Sequence, residues 1–278
     1  MMSDPTTNSI PPHPAKFSPP VLDVIGLYVH DFARERKMDG RPTLALDPFA
    51  GIGGAFGLTG HCESCREVQW LGVEIEPEWA DADTRIITGD SRRLTTIFHD
   101  HPRFDLVVTS CTYGNRMADK HEAKDPCSRC GGSGVVPVGR GGDGDGDVMC
   151  SKCKGSGLSP RRTYRHLLGR QLTEGNSGGM QWGPAYRALH EQVWLQVAHV
   201  THPGAWFILN VSDHIRAKAR VPVTRWHIDT ILGQGYFKMA TSPRGAFKKV
   251  STSRMRYGEN SDARIDGEAV IVFERVAA

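Results

Sequence analysis

An acid, an aromatic ring and a run of glycines stand together at Asp47-Pro48-Phe49-Ala50-Gly51-Ile52-Gly53-Gly54, directly after the apolar run Leu44-Ala45-Leu46. A strand feeding such a turn lets a ligand approach the backbone closely, because glycine carries no Cβ. A second apolar run, Leu106-Val107-Val108, ends in Thr109-Ser110-Cys111-Thr112-Tyr113-Gly114-Asn115-Arg116, a set of hydroxyls, a thiol and a ring. Acids also close Gly72-Val73-Glu74-Ile75-Glu76-Pro77 and Thr88-Gly89-Asp90. Asp often caps helices at such places, but its recurrence at successive strand ends points to a ligand. In an open α/β sheet, ligands bind outside the carboxyl ends of the strands, where the strand order reverses. Strand ends of these kinds suit a nucleoside cofactor beside a planar substrate.

Sulfur offers a second chemistry. Six of the seven cysteines form Cys-x-x-Cys pairs, at 62/65, 127/130 and 150/153. The segments Cys127 to Gly134 and Cys150 to Gly157 repeat one pattern, Cys-x-x-Cys-x-Gly-x-Gly. Two such pairs supply the four thiolates of a closed, structural zinc site, namely Cys127, Cys130, Cys150 and Cys153. Redox-active dithiols are the alternative. Zinc is favoured because the pattern is duplicated and residues 120–160 are too poor in large apolar side chains to fold on a core of their own. The loop Gly141–Asp147 lacks the bidentate Glu of a calcium loop and reads as a mobile tip. His61-Cys62-Glu63-Ser64-Cys65 holds a lone pair that cannot complete a zinc shell and reads as core packing.

These groups need a scaffold. Apolar residues at helical spacing predict a helix over Val21–Phe32 and another over Tyr186–Val200. Strands are expected near 43–47, 69–74, 85–88, 104–109, 205–211, 235–241 and 268–275, with helical patterns between the early ones. This alternation implies α/β architecture with a doubly wound, mostly parallel sheet, closed by an antiparallel pair at the end. The expected organisation is a disordered or loosely docked segment 1–15, a half-domain 16–119, an insertion 120–160 and the remainder 161–278. Hydrophobic content of 39% and charged content of 23% fit a soluble globular chain. No apolar run is long enough to span a bilayer. A net charge of +3 does not announce a nucleic-acid partner, although Arg161, Arg162, Arg165 and Arg170 cluster, as do Lys248, Lys249, Arg254 and Arg256.

Taken in order, these motifs resemble those of S-adenosylmethionine-dependent DNA amino-methyltransferases. The glycine turn is similar to their cofactor motif. Ser110-Cys111-Thr112-Tyr113 resembles their catalytic (Asp/Asn/Ser)-Pro-Pro-(Tyr/Phe), with Cys111 and Thr112 in place of the prolines. Lys16-Phe17-Ser18-Pro19-Pro20 is similar to the segment before their first strand. The resemblance implies a seven-stranded sheet and an S-adenosylmethionine pocket lined by Asp47, Phe49, Gly51 and Gly53. It implies that Glu74, with Ile75 beside it, holds the ribose, that Asp90 holds the adenine amine, and that Lys16 and Phe17 border the methionine end. Ser110 and the carbonyl of Cys111 would accept hydrogen bonds from an exocyclic amine, and Tyr113 would stack on a flipped base. Serine at the first position leans to cytosine N4 over adenine N6. The implied partner is DNA, with RNA possible, in the cytoplasm of a bacterium or phage-infected cell. Three alternatives stand: attack by Cys111 for C5 methylation, transfer of a different group from a relative of the cofactor, and a binding protein that has lost chemistry with the prolines. The paired Cys-x-x-Cys repeats resemble the cysteine-rich modules of the forty-kilodalton heat-shock co-chaperones, which implies zinc geometry rather than chaperone activity. The glycine-rich run Gly175 to Gly183 is a candidate loop over the site, with Gln181 or Trp182 touching a base, or an ordinary packed tryptophan. Asn210, Ser212 and Asp213 are candidates for the rim of the same cleft.

Overall fold

A computed structural model describes residues 10–13, 17–38, 40, 42–114, 126–127, 129–137, 146–158, 164–251, 265 and 267–277. Lys16, Asn115, Arg116, Arg161, Arg162, Arg254, Arg256 and most of the Gly141–Asp147 loop lie outside the described residues. The chain divides into two compact units, Met1–Arg116 with Thr173–Ala278, and Met117–Leu172.

The strands are β1 (Thr43–Asp47), β2 (Val68–Glu74), β3 (Ile86–Thr88), β4 (Phe104–Ser110), β5 (Val135–Pro137), β6 (Asp147–Met149), β7 (Thr201–Val211), β8 (His214–Arg216), β9 (Ala219–Val221), β10 (Phe237–Met239), β11 (Phe247–Ser251) and β12 (Gly267–Arg275). The helices are α1 (Pro19–Met38), α2 (Pro77–Ala80), α3 (Leu94–Ile97), α4 (Tyr164–Leu168), α5 (Pro184–Val200) and α6 (Val223–Gly233).

The first unit carries one sheet in the order β10-β12-β7-β4-β1-β2-β3. Strands β3, β2, β1, β4 and β7 run parallel, and β12 is antiparallel to β7. This is the doubly wound, mostly parallel sheet expected from the sequence, and its order is that of the Rossmann-like methyltransferase fold. Its chain reverses direction of travel between β1 and β4, which puts the switch point beside the glycine turn. Strand β4 is buried along Phe104–Thr109, as a central parallel strand covered on both faces must be. Alternate residues split between two apolar layers. Ala45, Leu106, Val108, Ile208, Val270 and Val272 pack with α1, while Leu46, Val107, Phe207, Leu209, Ile271 and Phe273 pack with α5 and α6.

Several elements depart from expectation. The glycine turn opens a 3-10 segment, Gly54–Gly60, instead of an α-helix. Gly54, Gly57 and Gly60 within seven residues each lower helix stability. The sequence pattern predicts neither the hairpin β8–β9 nor helix α6. The closing strand, expected over 235–241, is divided: β10 pairs with one half of β12 and β11 with the other. The sheet thus has eight strands in seven lateral positions. Residues 10–13 are docked: Trp79 Nε1 donates to the Pro11 carbonyl at 3.1 Å and the His13 ring meets Trp79 edge-on. No helix among the described residues is long and apolar enough to cross a membrane.

The second unit is built on its own terms. Hairpin β5–β6 joins the two cysteine repeats, and Pro126 bridges Leu158. The repeats are related by a local two-fold exchange of hydrogen bonds. Cys127 N–H donates to the Gly157 carbonyl at 2.8 Å, and Cys150 N–H to the Gly134 carbonyl at 2.9 Å.

Candidate active site and metal centre

The glycine turn sits at the carboxyl end of β1, where Gly51 and Gly53 hold φ of +56° and +82°. Both lie in the left-handed region that glycine adopts without strain. A Cβ at Gly51 would meet the His13 ring at 3.0 Å, and one at Gly54 would meet Phe17 at 3.4 Å. The segment before the first helix therefore borders the turn, and Phe17 is part of that border. Asp47 Oδ1 accepts from Phe49 N at 3.0 Å and from Thr109 Oγ1 at 2.7 Å, which ties the end of β1 to that of β4. Burial pushes the Asp47 carboxyl up to about 7. Phe49 turns inward, with its ring 5.5 Å from His190 and 5.9 Å from Trp194.

Glu74, at the end of β2, accepts from Gly51 N at 3.0 Å and Glu76 N at 2.9 Å. Burial pushes it up to about 7 as well. The adjacent Glu76 is fully buried and was missed by motif reasoning. Its carboxylate accepts from Thr173 N, Thr173 Oγ1 and Asn176 Nδ2 at 2.7–2.8 Å, anchoring the glycine-rich run beside the strand end. Ile75 lies there too, with its Cδ1 3.7 Å from the Cβ position of Gly175. Asp90 caps the turn Ser91–Arg93 and receives the Arg92 guanidinium. Burial pushes its carboxyl up, but the Arg92 hydrogen bonds outweigh this and hold it below the ordinary carboxylate range. Ser91 donates to the Pro48 carbonyl, linking this turn to the glycine turn.

At the end of β4, register pairs Ser110 with Asn210 of β7. Ser110 Oγ donates to Asn210 Oδ1 at 2.9 Å. The Tyr113 hydroxyl lies 2.9 Å from Glu268 Oε2 and 3.3 Å from Asn210 Oδ1. Burial and the Glu268 charge raise this phenol well above its ordinary value. Glu268 enters because β12 runs antiparallel to β7, so its first residues reach the carboxyl edge. An acid opening an otherwise apolar run was the available signal. Ser212 donates to the Gly267 carbonyl at 3.2 Å, whereas Asp213 is occupied by Arg220 and by the backbone of Thr224. The Trp182 ring packs at 5.4 Å from Tyr186 and 5.5 Å from Trp226, and the Trp182 backbone N–H donates to the Gly114 carbonyl. Gln181 accepts from Arg216 at 2.6 Å.

Beneath the loop runs a buried relay. Trp194 Nε1–H donates to His227 Nδ1 at 3.1 Å. An imidazole accepting at Nδ1 carries its proton on Nε2 when neutral, and Nε2 lies 2.9 Å from the Tyr186 hydroxyl. Tyr186 in turn donates to the Thr112 carbonyl at 2.5 Å. Burial and the neighbouring His190 lower the His227 pKa well below its ordinary value, so the ring is neutral. Cys111 Sγ is 3.7 Å from His227 Nε2, and burial pushes its thiol up to about 12. Tyr186 opens the expected helix over Tyr186–Val200 and His227 lies in α6, which the periodicity does not predict; no motif singles out either residue.

In the second unit the four cysteine sulfurs lie within 4.8 Å of one another. Cys127 and Cys150 sulfurs are 3.9 Å apart, and those of Cys130 and Cys153 are 3.6 Å apart. A tetrahedral zinc with Zn–S of about 2.3 Å has edges of about 3.8 Å, so the set fits the ion. Gly134 N–H donates to Cys130 Sγ at 3.3 Å. Burial pushes the Cys130 thiol up, but the N–H groups of Gly132 and Gly134 bring it down to about 6. The glycines are required: a Cβ at Gly134 would stand 2.3 Å from the Gly155 carbonyl oxygen, and one at Gly157 2.2 Å from that of Gly132. Cys62 and Cys65, read from the sequence as packing residues, are joined as a disulfide in the first unit.

No family model and no curated protein match the sequence. Among solved structures, TrmN from Thermus thermophilus is similar over 92% of this chain and 49% of its own, at 12% identity and a TM-score of 0.44. This chain spans about half the length of that protein. An rRNA methylase from Streptococcus thermophilus is similar over 95% of this chain and 100% of its own, at 7% identity and a TM-score of 0.43. NodS, an N-methyltransferase from Bradyrhizobium japonicum, is similar over 96% of this chain and 93% of its own, at 8% identity and a TM-score of 0.41.

Proposed function

We propose that the protein is an S-adenosylmethionine-dependent methyltransferase acting on an exocyclic amine of a flipped base in DNA, cytosine N4 ahead of adenine N6. The observation that carries this reading is the pairing of Ser110 with Asn210 one strand away from the Asp47 glycine turn. Because Ser110 gives its proton to Asn210, its oxygen lone pairs are left to accept from an incoming amine. The cofactor would supply an electrophilic methyl on a sulfonium. Gly51, Gly53 and Glu74 would hold it, with Glu74 accepting from the ribose hydroxyls; Ile75, Phe17 and Lys16 would border it. Asp47 braces the turn from within, and Asp90 would reach an adenine amine only by sharing its carboxylate with Arg92.

An exocyclic amine is a weak nucleophile because its lone pair is delocalised into the ring. Ser110 Oγ and the Cys111 carbonyl would orient that lone pair at the methyl carbon. The amine gains the methyl and loses a proton. Prolines would normally stiffen this loop; here the Trp194–His227–Tyr186 relay grips the Thr112 carbonyl in their stead. Tyr113 would offer its ring to the base while Glu268 and Asn210 fix its hydroxyl. The same surroundings argue against C5 chemistry. Attack needs a thiolate, but the Cys111 thiol is held neutral, and His227 directs its one N–H toward Tyr186. In the second unit, Cys127, Cys130, Cys150 and Cys153 would hold one structural zinc.

Labelled-methyl incorporation into DNA, with the product base identified by mass spectrometry, tests this reading. N4-methylcytosine or N6-methyladenine is expected, lost in Ser110→Ala and retained in Cys111→Ser. A 5-methylcytosine product lost in Cys111→Ser would overturn it. Incorporation into RNA alone would move the substrate, and inactivity on both would leave a binding protein.

A further inference from the structure

Outside the four-cysteine module, a second sulfur cluster lies in the first unit. Cys62 and Cys65 flank the start of a 3-10 turn, Ser64–Glu67, between the glycine-rich segment and β2. His30 of α1 directs Nδ1 at Cys62 Sγ, 3.1 Å away. Cys65 N–H donates to the same sulfur at 3.0 Å. The imidazole nitrogen and both sulfurs lie within 4.8 Å of one another. Cys65 is fully buried, while His30 and Cys62 are half-buried. The His61 ring packs against α1, 2.7 Å from the Cβ position of Gly26, one turn before His30.

A disulfide needs no imidazole beside it, and an apolar packing pair would not draw one to 3.1 Å. We infer that, once the disulfide is reduced, His30, Cys62 and Cys65 form a second metal site, selective for a borderline-soft or soft cation such as Zn²⁺. The donor set decides the class of ion. Two thiolates and a neutral imidazole suit zinc and its softer neighbours, whereas magnesium and calcium require oxygen ligands that the cluster lacks. Three protein ligands leave the fourth tetrahedral position to water or to a mobile side chain. The backbone N–H of Cys65, which already donates to Cys62 Sγ, would remain a donor to that sulfur in the reduced chain.

Metal and disulfide are mutually exclusive at these sulfurs. A cellular thiol reductant breaks the S–S bond: each sulfur gains one electron and one proton, and two reductant thiols leave as their own disulfide. The metal then displaces both protons and takes the Nδ1 lone pair, so its affinity rises with pH. Bound, it would clip α1 to the turn ahead of β2.

The experiment uses the full chain, reduced with a phosphine and equilibrated with Zn²⁺ alone. Two zinc ions per chain are expected, one after Cys62→Ser/Cys65→Ser, and one after Cys127→Ser/Cys150→Ser. His30→Gln should weaken the second ion by at least about tenfold, as disruption of a metal shell commonly does. If the double serine variant fails to fold, alkylation decides instead. Zinc should slow labelling of Cys62 in the reduced unmutated chain and not in His30→Gln. One zinc per reduced chain that survives Cys62→Ser/Cys65→Ser, or zinc-independent labelling of Cys62, would overturn the site. A failure of the four-cysteine module alone is recognisable, since it removes the ion that survives Cys62→Ser/Cys65→Ser.

Discussion

Among the described residues around the four sulfurs of the second unit, Val136 is the one apolar neighbour outside the cysteines, whereas the sheet of the first unit is filled on both faces by two apolar layers. In the small unit, each repeat is closed by backbone bonds to the other and by glycines whose Cβ has no room. In the large one, strands such as β4 are fixed by what covers them. A region without a core holds a shape through strong local bonds, which chelation by the four cysteines would supply. A region with a core tolerates irregular loops at its strand ends, because the strands beneath are held independently. The candidate site exploits this, carrying a pinned but proline-free loop at Cys111–Tyr113.

The largest expected effect separates the two regions by metal. Chelation, or Cys150→Ser, should expose residues 126–158 to protease, since structural zinc contributes on the order of 10–16 kcal/mol of apparent binding energy. The melting of the sheet should shift little; common unfolding of both would break the contrast. Gly134→Ala should mimic the loss, because its Cβ would meet the Gly155 carbonyl. Next, Phe207→Ala should cost the first unit about 3–5 kcal/mol by opening a cavity between α5 and the sheet, read by denaturant melting, with the metal content unchanged.

A smaller effect tests the relay. Tyr186→Phe leaves the Thr112 carbonyl and the His227 N–H unpaired, at a cost of about 1–3 kcal/mol. It should lower methyl transfer at least tenfold while leaving cofactor affinity in calorimetry nearly unchanged. Equal loss of both would mean that the relay supports the whole sheet rather than the loop.

The smallest effect is with pH. Asp47 and Glu74 have folded-state pKa values raised to about 7 by burial. Each favours the fold fully below the ordinary carboxylate range, and that contribution is lost as pH rises through about 7. Without cofactor, thermal stability should therefore fall between about pH 5 and 8, less steeply in Asp47→Asn. Cofactor affinity should move the other way in this window, because under the proposed reading the ribose hydroxyls would bind ionised Glu74 best. Glu74→Gln should flatten that dependence.

Motifs contiguous in the chain were legible. The glycine turn, Ser110-Cys111-Thr112-Tyr113 and the two cysteine repeats carry their own geometry, as do apolar runs such as Leu106-Val107-Val108. Their periodicity also predicted α1, α5 and most of the parallel strands. The hidden residues are those whose role needs a partner far along the chain. Asn210 receives Ser110 through the β4–β7 register, Glu268 reaches Tyr113 through the antiparallel return of β12, and Tyr186 and His227 meet under the loop from two different helices. The 3-10 course after the glycine turn and the divided edge of the sheet were equally unreadable, since local propensity there competes with packing.

The sequence by itself therefore determined the order of the parallel strands with α1 and α5, the sulfur repeats and the residues of the strand ends, because these follow from local periodicity and from side-chain chemistry at short spacing. The tertiary structure alone decided which strand ends adjoin, which way Ser110 gives its proton, that Cys111 is sealed from water, and that His30 faces a cysteine pair. Those facts depend on strand register and helix packing, where a single step along the chain turns a side chain to the opposite face.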